Sequence, residues 1–70
     1  MSDLALWMEL TRLEQRLVIK LFGGGSFRRE SLATIEGLQS RGLADDNGIT
    51  FKGIFVFKAA IRVQNIRLAA

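Results

Sequence analysis

Apolar positions recur along this chain at helical spacing in most segments, and at strand-like spacing in one short stretch. Residues 3–10 (DLALWMEL) set apolar side chains three and four apart, with Ser2 as an N-cap. Thr11 and Glu14 form a T-x-x-E capping box ahead of LEQRLVIKLF, so a helix is expected from Arg12, with Leu13, Leu17, Leu21, Val18 and Phe22 on its buried side. The pattern leaves open whether residues 3–22 make one bent helix or two. Gly23, Gly24 and Gly25 stop that helix. Ser26 is the expected N-cap of the next, running to about Arg41, with Leu32, Ile35, Leu38 and then Leu43 facing the core and Gly42 at the C-cap.

Beyond Gly42 the period changes. Leu43-Ala44 and Ile49-Thr50-Phe51 are short extended segments around Asp45-Asp46-Asn47-Gly48. Asn-Gly between apolar runs signals a two-residue hairpin turn of type I′, in which both central residues take positive φ. Residues 53–67 begin with the β-formers IFVF, but their length and alanine content favour a helix. That helix is apolar over most of its circumference, with Lys58, Arg62 and Asn65 as its polar stripe. A helix apolar almost all round is buried on two sides. One side is expected on the chain's own core and the other on a second copy, through Phe57, Ile61, Val63 and Leu68.

Seventy residues make a single domain over residues 1–70, near the lower size limit for a chain that folds without disulfides or metal. Histidine, cysteine, tyrosine and proline are absent. Thiolate metal sites and the common nucleophile–base pairs are therefore excluded, and no enzymatic activity, cofactor or metal is expected. Asp45, Asp46 and Asn47 read as turn residues, since the spaced calcium-loop pattern is missing. The glycine run lacks the Lys-Ser/Thr and the preceding strand of a nucleotide loop. Trp7 reads as a core or interface anchor. No targeting segment or membrane span is expected, and a reducing cytoplasm is the expected compartment.

Charge adds the one functional cue. From Phe51 onward the charged residues are Lys52, Lys58, Arg62 and Arg67, all basic, while Asp45 and Asp46 share one turn. Arg12, Arg16 and Lys20 line up at i, i+4 and i+8, and Arg28 and Arg29 open the next expected helix. Cations grouped in this way attract polyanions at a net charge of only +3.

The stretch LATIEGLQSRGLADDNGITFKG resembles winged helix-turn-helix domains of small bacterial and phage regulators. The resemblance implies a mainly α fold of three to four helices with one short β-hairpin. It makes the helix bearing Ser31, Leu32 and Thr34 the recognition helix, Asp45 to Gly48 a short wing, and Lys52 the base of that wing. It also implies duplex DNA binding. Arg28, Arg29, Thr34 and Arg41 then read or position on DNA, and Arg12, Arg16 and Lys52 contact phosphate. Arg29, Glu30, Ala33, Thr34, Gly37 and Arg41 form the outward face, with small residues at 33 and 37 for close approach to a groove. The same scaffold also serves purely for protein contact, for example with a host protein.

Overall fold

Every helix start coincides with a hydroxyl side chain that takes up a free backbone N–H. The computed structural model describes the backbone of residues 2–69 and the side chains of residues 2–63. Its elements run α1 (Asp3–Glu9), α2 (Arg12–Phe22), α3 (Leu32–Ser40), β1 (Ala44–Asp45), β2 (Gly48–Ile49) and α4 (Phe51–Ala69). Ser2 accepts from the Ala5 N–H and Ser31 from the Thr34 N–H, at 3.1 and 3.2 Å. Thr11 accepts from the Glu14 N–H at 3.1 Å, and the Glu14 carboxylate accepts from the Thr11 N–H at 2.8 Å, which completes the expected capping box. Thr50 accepts from the Gly53 N–H at 3.1 Å and donates to the Gly42 carbonyl at 2.6 Å, so one hydroxyl starts α4 and ties it to the end of α3.

Residues 3–22 form two helices, because Leu10 and Thr11 both take extended ψ near 150°. Leu10 itself is buried at that break. α1 is too short to persist alone in water and is held by packing on α4.

The start of α3 differs from expectation. Ser26 is not its cap; the helix begins at Leu32, and residues 23–31 form a longer connection than the glycine run and Ser26 cap lead one to expect. The cause is tertiary. Phe27 packs against the core, and the Lys20 ammonium grips both the Arg28 carbonyl and the Glu30 carboxylate at 2.8 Å each. Ser26 instead accepts from the Arg28 N–H at 3.3 Å.

Both α2 and α3 end in the paired 6→1 and 5→2 hydrogen bonds of the Schellman motif. In α3, Leu43 N–H donates to Leu38 C=O and Gly42 N–H to Gln39 C=O. Gly42 takes φ 77° and Gly24, in the same place after α2, φ 91°. A residue with a Cβ is strained in that conformation.

The hairpin pairs Ala44 with Ile49 and Asp45 with Gly48, antiparallel. Asp46 and Asn47 therefore form the turn, not Asn47 and Gly48. Neither has positive φ, which rules out the expected type I′ geometry; Gly48 carries it instead, at 122°. The Asp45 carboxylate accepts from the Asn47 N–H at 2.8 Å, a local bond that favours this alternative. Phe51, expected in the second strand, begins α4 instead, since Thr50 caps there.

The core joins Trp7 and Leu10 to Leu17, Val18 and Leu21 of α2. Leu38, Leu43, Ala44, Val56 and Ala60 complete it. Trp7 is the buried anchor expected. Leu13, Phe22 and Leu32 are not core residues: they are 59%, 43% and 69% exposed. The three are flank positions, and the domain has no further layer to cover them. Four helices and one two-stranded hairpin among the described residues make a mainly α fold, consistent with a small winged-helix-like domain. No helix among the described residues is long and apolar enough to cross a membrane.

Where α4 crosses the hairpin, Gly53 is buried and an added Cβ would run into the Leu43 carbonyl and Ile49 Cγ1. Alanine would favour the helix by at most about 1 kcal/mol, whereas overpacking against fixed backbone costs about 1–3 kcal/mol or more. Gly53→Ala is therefore expected to lose about 2 kcal/mol in urea denaturation, with the helix content of the folded state unchanged.

Candidate nucleic-acid interface

The face of α3 expected to point outward is turned inward over much of its length. Thr34 is buried, its hydroxyl 2.6 Å from that of Ser31. Gly37 is half-buried against α2, where a Cβ would meet the Glu14 carboxylate. Arg41, half-buried at the end of α3, brings its Nε to 4.0 Å from the same carboxylate. That is an ion pair but too long for a hydrogen bond.

Thr34, Gly37 and Arg41 thus form the α2–α3 seam, with Glu14 at its centre. The physical reason is the demand of a buried carboxylate. Glu14 needs its Thr11 N–H bond, space free of a side chain, and a nearby cation, and α3 supplies the last two.

What α3 leaves to solvent is Leu32, Ala33, Glu36 and Ser40. None is basic. A reading helix in the major groove normally carries donors for base edges along that face.

The exposed cations lie beside α3 rather than on it. Arg12 and Arg16 project from α2, and Arg28 and Arg29 from the turn that precedes α3. Lys20, third in the expected basic stripe, is committed to Glu30 and to the Arg28 carbonyl. Glu30 is therefore neutralised by an internal partner. Lys52 is exposed, its stem running past Gly42.

The turn itself is ordered by several bonds. Glu30 N–H donates to Phe27 C=O at 3.1 Å, and Arg29 sits at φ 65°, the sole non-glycine residue with positive φ among the described residues. Positive φ at the third residue alone marks a type II turn, where glycine is the usual occupant. Holding arginine there costs about 1–2 kcal/mol. The tripod of Phe27 in the core and Lys20 on Arg28 and Glu30 sustains it.

Two concavities flank α2 on this side. One, of about 340 Å³, is lined by Leu13, Arg16, Lys20 and Glu30; the other, of about 300 Å³, by Thr11, Leu13, Glu14, Ser31, Ala33 and Thr34. Among the described residues, no acidic cluster gathers to hold a metal ion. Sequence reading missed Lys20 as the turn's anchor and Arg29 as its strained member. Neither role has a local signal, because Lys20 reaches across eight and ten residues.

The residues expected to form a dimer contact also separate. Phe57 is directed into its own core, its ring centroid 6.0 Å from that of Trp7 and 4.6 Å from that of Phe22. Both aromatic neighbours are intramolecular, and Phe57 is half-buried between them. Ile61 and Val63 are half-buried, and Leu68 lies outside the residues whose side chains are described.

The seam makes a sign-changing prediction. Gly37→Ala should lose up to about 1 kcal/mol in the native chain, because the Glu14 carboxylate, the far end of a flexible side chain, must turn aside from the new Cβ and weaken its Thr11 bond. In a Glu14→Ala background the same change should become neutral or stabilising by up to about 1 kcal/mol, since only helix propensity remains. Urea denaturation of the four proteins of this cycle measures both.

Compared with known proteins, the chain matches no family model, no curated protein and no solved structure.

Proposed function

We propose that this chain is a nucleic-acid-binding domain of small-regulator type. It grips duplex phosphates with an arginine edge made of Arg12, Arg16, Arg28 and Arg29. One observation carries the reading: Arg29 is held in a left-handed backbone conformation by a turn that Lys20 and Phe27 anchor. Strain of this kind persists where the surrounding structure over-determines it, and such sites are commonly functional. The turn presents two adjacent guanidinium groups with little backbone entropy left to lose on binding.

Contacts of this kind go to phosphate and position the protein without reading sequence. The exposed side of α3, with Glu36 as its one charge, supplies no second layer of base recognition. Binding is accordingly tolerant of sequence and steep in salt. Thr34 and Arg41 act in this reading as seam residues, and Lys52 is at most an outlying phosphate contact.

A protein-binding role is the second reading, and a specific observation favours it. Leu13 lines both concavities yet is more than half exposed, and Leu32 stands exposed at the start of α3. An adaptor or inhibitor that docks a partner's apolar side chain there would depend on these leucines and not on Arg29.

Titration with mixed-sequence duplex DNA separates the two. If each of the four arginines neutralises one phosphate, log K should fall against log salt with a slope of about −3 to −4. Arg29→Ala should weaken binding by at least about 1 kcal/mol and flatten that slope by about one. Arg29→Gly should weaken DNA equally while raising stability by about 1 kcal/mol, because glycine relieves the positive φ. Leu13→Ser and Leu32→Ser should leave DNA affinity unchanged. Absence of any mobility shift on mixed fragments at low salt sinks the nucleic-acid reading.

A further inference from the structure

The outward face of α4 carries an order of residues that complements itself when reversed. Phe51, Phe55, Lys58 and Arg62 are all exposed, the two rings by 82% and 56%. Their spacing of four, three and four is the seam spacing of a two-helix contact. At 3.6 residues per turn the four fall within an arc of about 60°. Two aromatic rings occupy the N-terminal half of the seam and two cations the C-terminal half. Neither cation forms an ion pair among the described residues.

We infer that α4 pairs antiparallel with α4 of a second copy of this chain. A two-fold axis between the levels of Val56 and Phe57 sets Phe51 opposite Arg62 of the second copy, and Phe55 opposite its Lys58. Each of the four pairings then joins a cation to a ring, an arrangement that arginine and lysine both favour over an aromatic face. The two Phe55 rings meet beside the axis with an axial offset of about 4.5 Å, suited to offset stacking. A parallel pair would instead stack Lys58 on Lys58 and Arg62 on Arg62, which like-charge repulsion opposes.

The hairpin adds a second complementary feature. A concavity of about 210 Å³ beside Phe51 is lined by Asp45, Ile49, Thr50 and Ile54. Arg62 of the second copy, lying over Phe51, enters the neighbourhood of that exposed carboxylate. Asp45 accepts one backbone bond from Asn47 and has acceptor capacity left for a guanidinium. The acidic wing, unsuited to phosphate, thus acquires a partner of opposite sign.

The size of the contact sets its strength. Each exposed ring brings on the order of 100–150 Å², so four rings with the lysine and arginine stems fall below the roughly 1,200 Å² of a standard interface. The dimer is therefore concentration-dependent and readily reversible. This inference does not rest on nucleic-acid binding, since none of the four arginines of the proposed phosphate edge lies on α4.

Sedimentation equilibrium of the full chain, from micromolar to millimolar concentration, tests it. A monomer–dimer equilibrium is expected. Asp45→Arg and Arg62→Asp should each weaken it at least about tenfold, and the double variant should recover a measurable part of that loss, because the swap restores the ion pair in reverse but not the cation over Phe51. Phe55→Ser should abolish it. All three positions are exposed, so circular dichroism should show the native fold in every variant. A chain that stays monomeric throughout overturns the inference, as does a double variant no better than the singles. So does a monomer that uses Phe51 and Phe55 only to bind anionic vesicles.

Discussion

The contact on which this domain depends is a carboxylate set against a missing side chain. Glu14 closes its own helix through Thr11 and packs where Gly37 has no Cβ, with Arg41 at the far end of the same seam. A buried charge is tolerated only where it is bonded and compensated. Those needs, together with the buried Leu17, Val18 and Leu38, hold α3 against α2. With α3 so placed, Gly42 turns the chain into the hairpin. Thr50 then links the α3 end to the α4 start, and Gly53 lets α4 cross close over Leu43. The hairpin and α4 also pack directly on α2, and α4 on α1.

The same geometry decides which residues meet solvent. Turning Thr34, Gly37 and Arg41 inward leaves α3 an exposed side without a cation, and the arginines appear instead on α2 and on the 27–30 turn. Lys20 connects these two places. By engaging Glu30 it neutralises the one carboxylate in that turn, and by holding the Arg28 carbonyl it supports the unusual backbone of Arg29. A stripe of three equivalent cations is thereby divided into one structural residue and two exposed ones, Arg12 and Arg16.

α4 shows how a nearly all-apolar helix is shared between two demands. Val56 and Ala60 face the core, and Phe57 closes a three-ring cluster with Trp7 and Phe22. Phe51 and Phe55 remain outside because the domain has no layer left to cover them. In so small a chain, surface area outruns the apolar groups that can be buried. The excess appears as Leu13, Leu32, Phe51 and Phe55 at the surface.

By itself the sequence determined what local chemistry decides. Ser2, Thr11 and Glu14 set helix starts within a few residues, the glycines after Phe22 and Arg41 set helix ends, and the turn residues between Ala44 and Ile49 required a hairpin. These are interactions among neighbours in the chain, and they hold wherever the segment lies in space. Only the tertiary structure decided that α3 starts at Leu32 rather than after Ser26, because Phe27 and Lys20 act across the fold. Only it showed that Gly37 packs against the Glu14 carboxylate. Helical periodicity marks a buried stripe, but it does not say which neighbour covers the flanks of that stripe. Leu13, Thr34 and Phe57 all sit on such flanks, and the packing of one helix on another gave each its side.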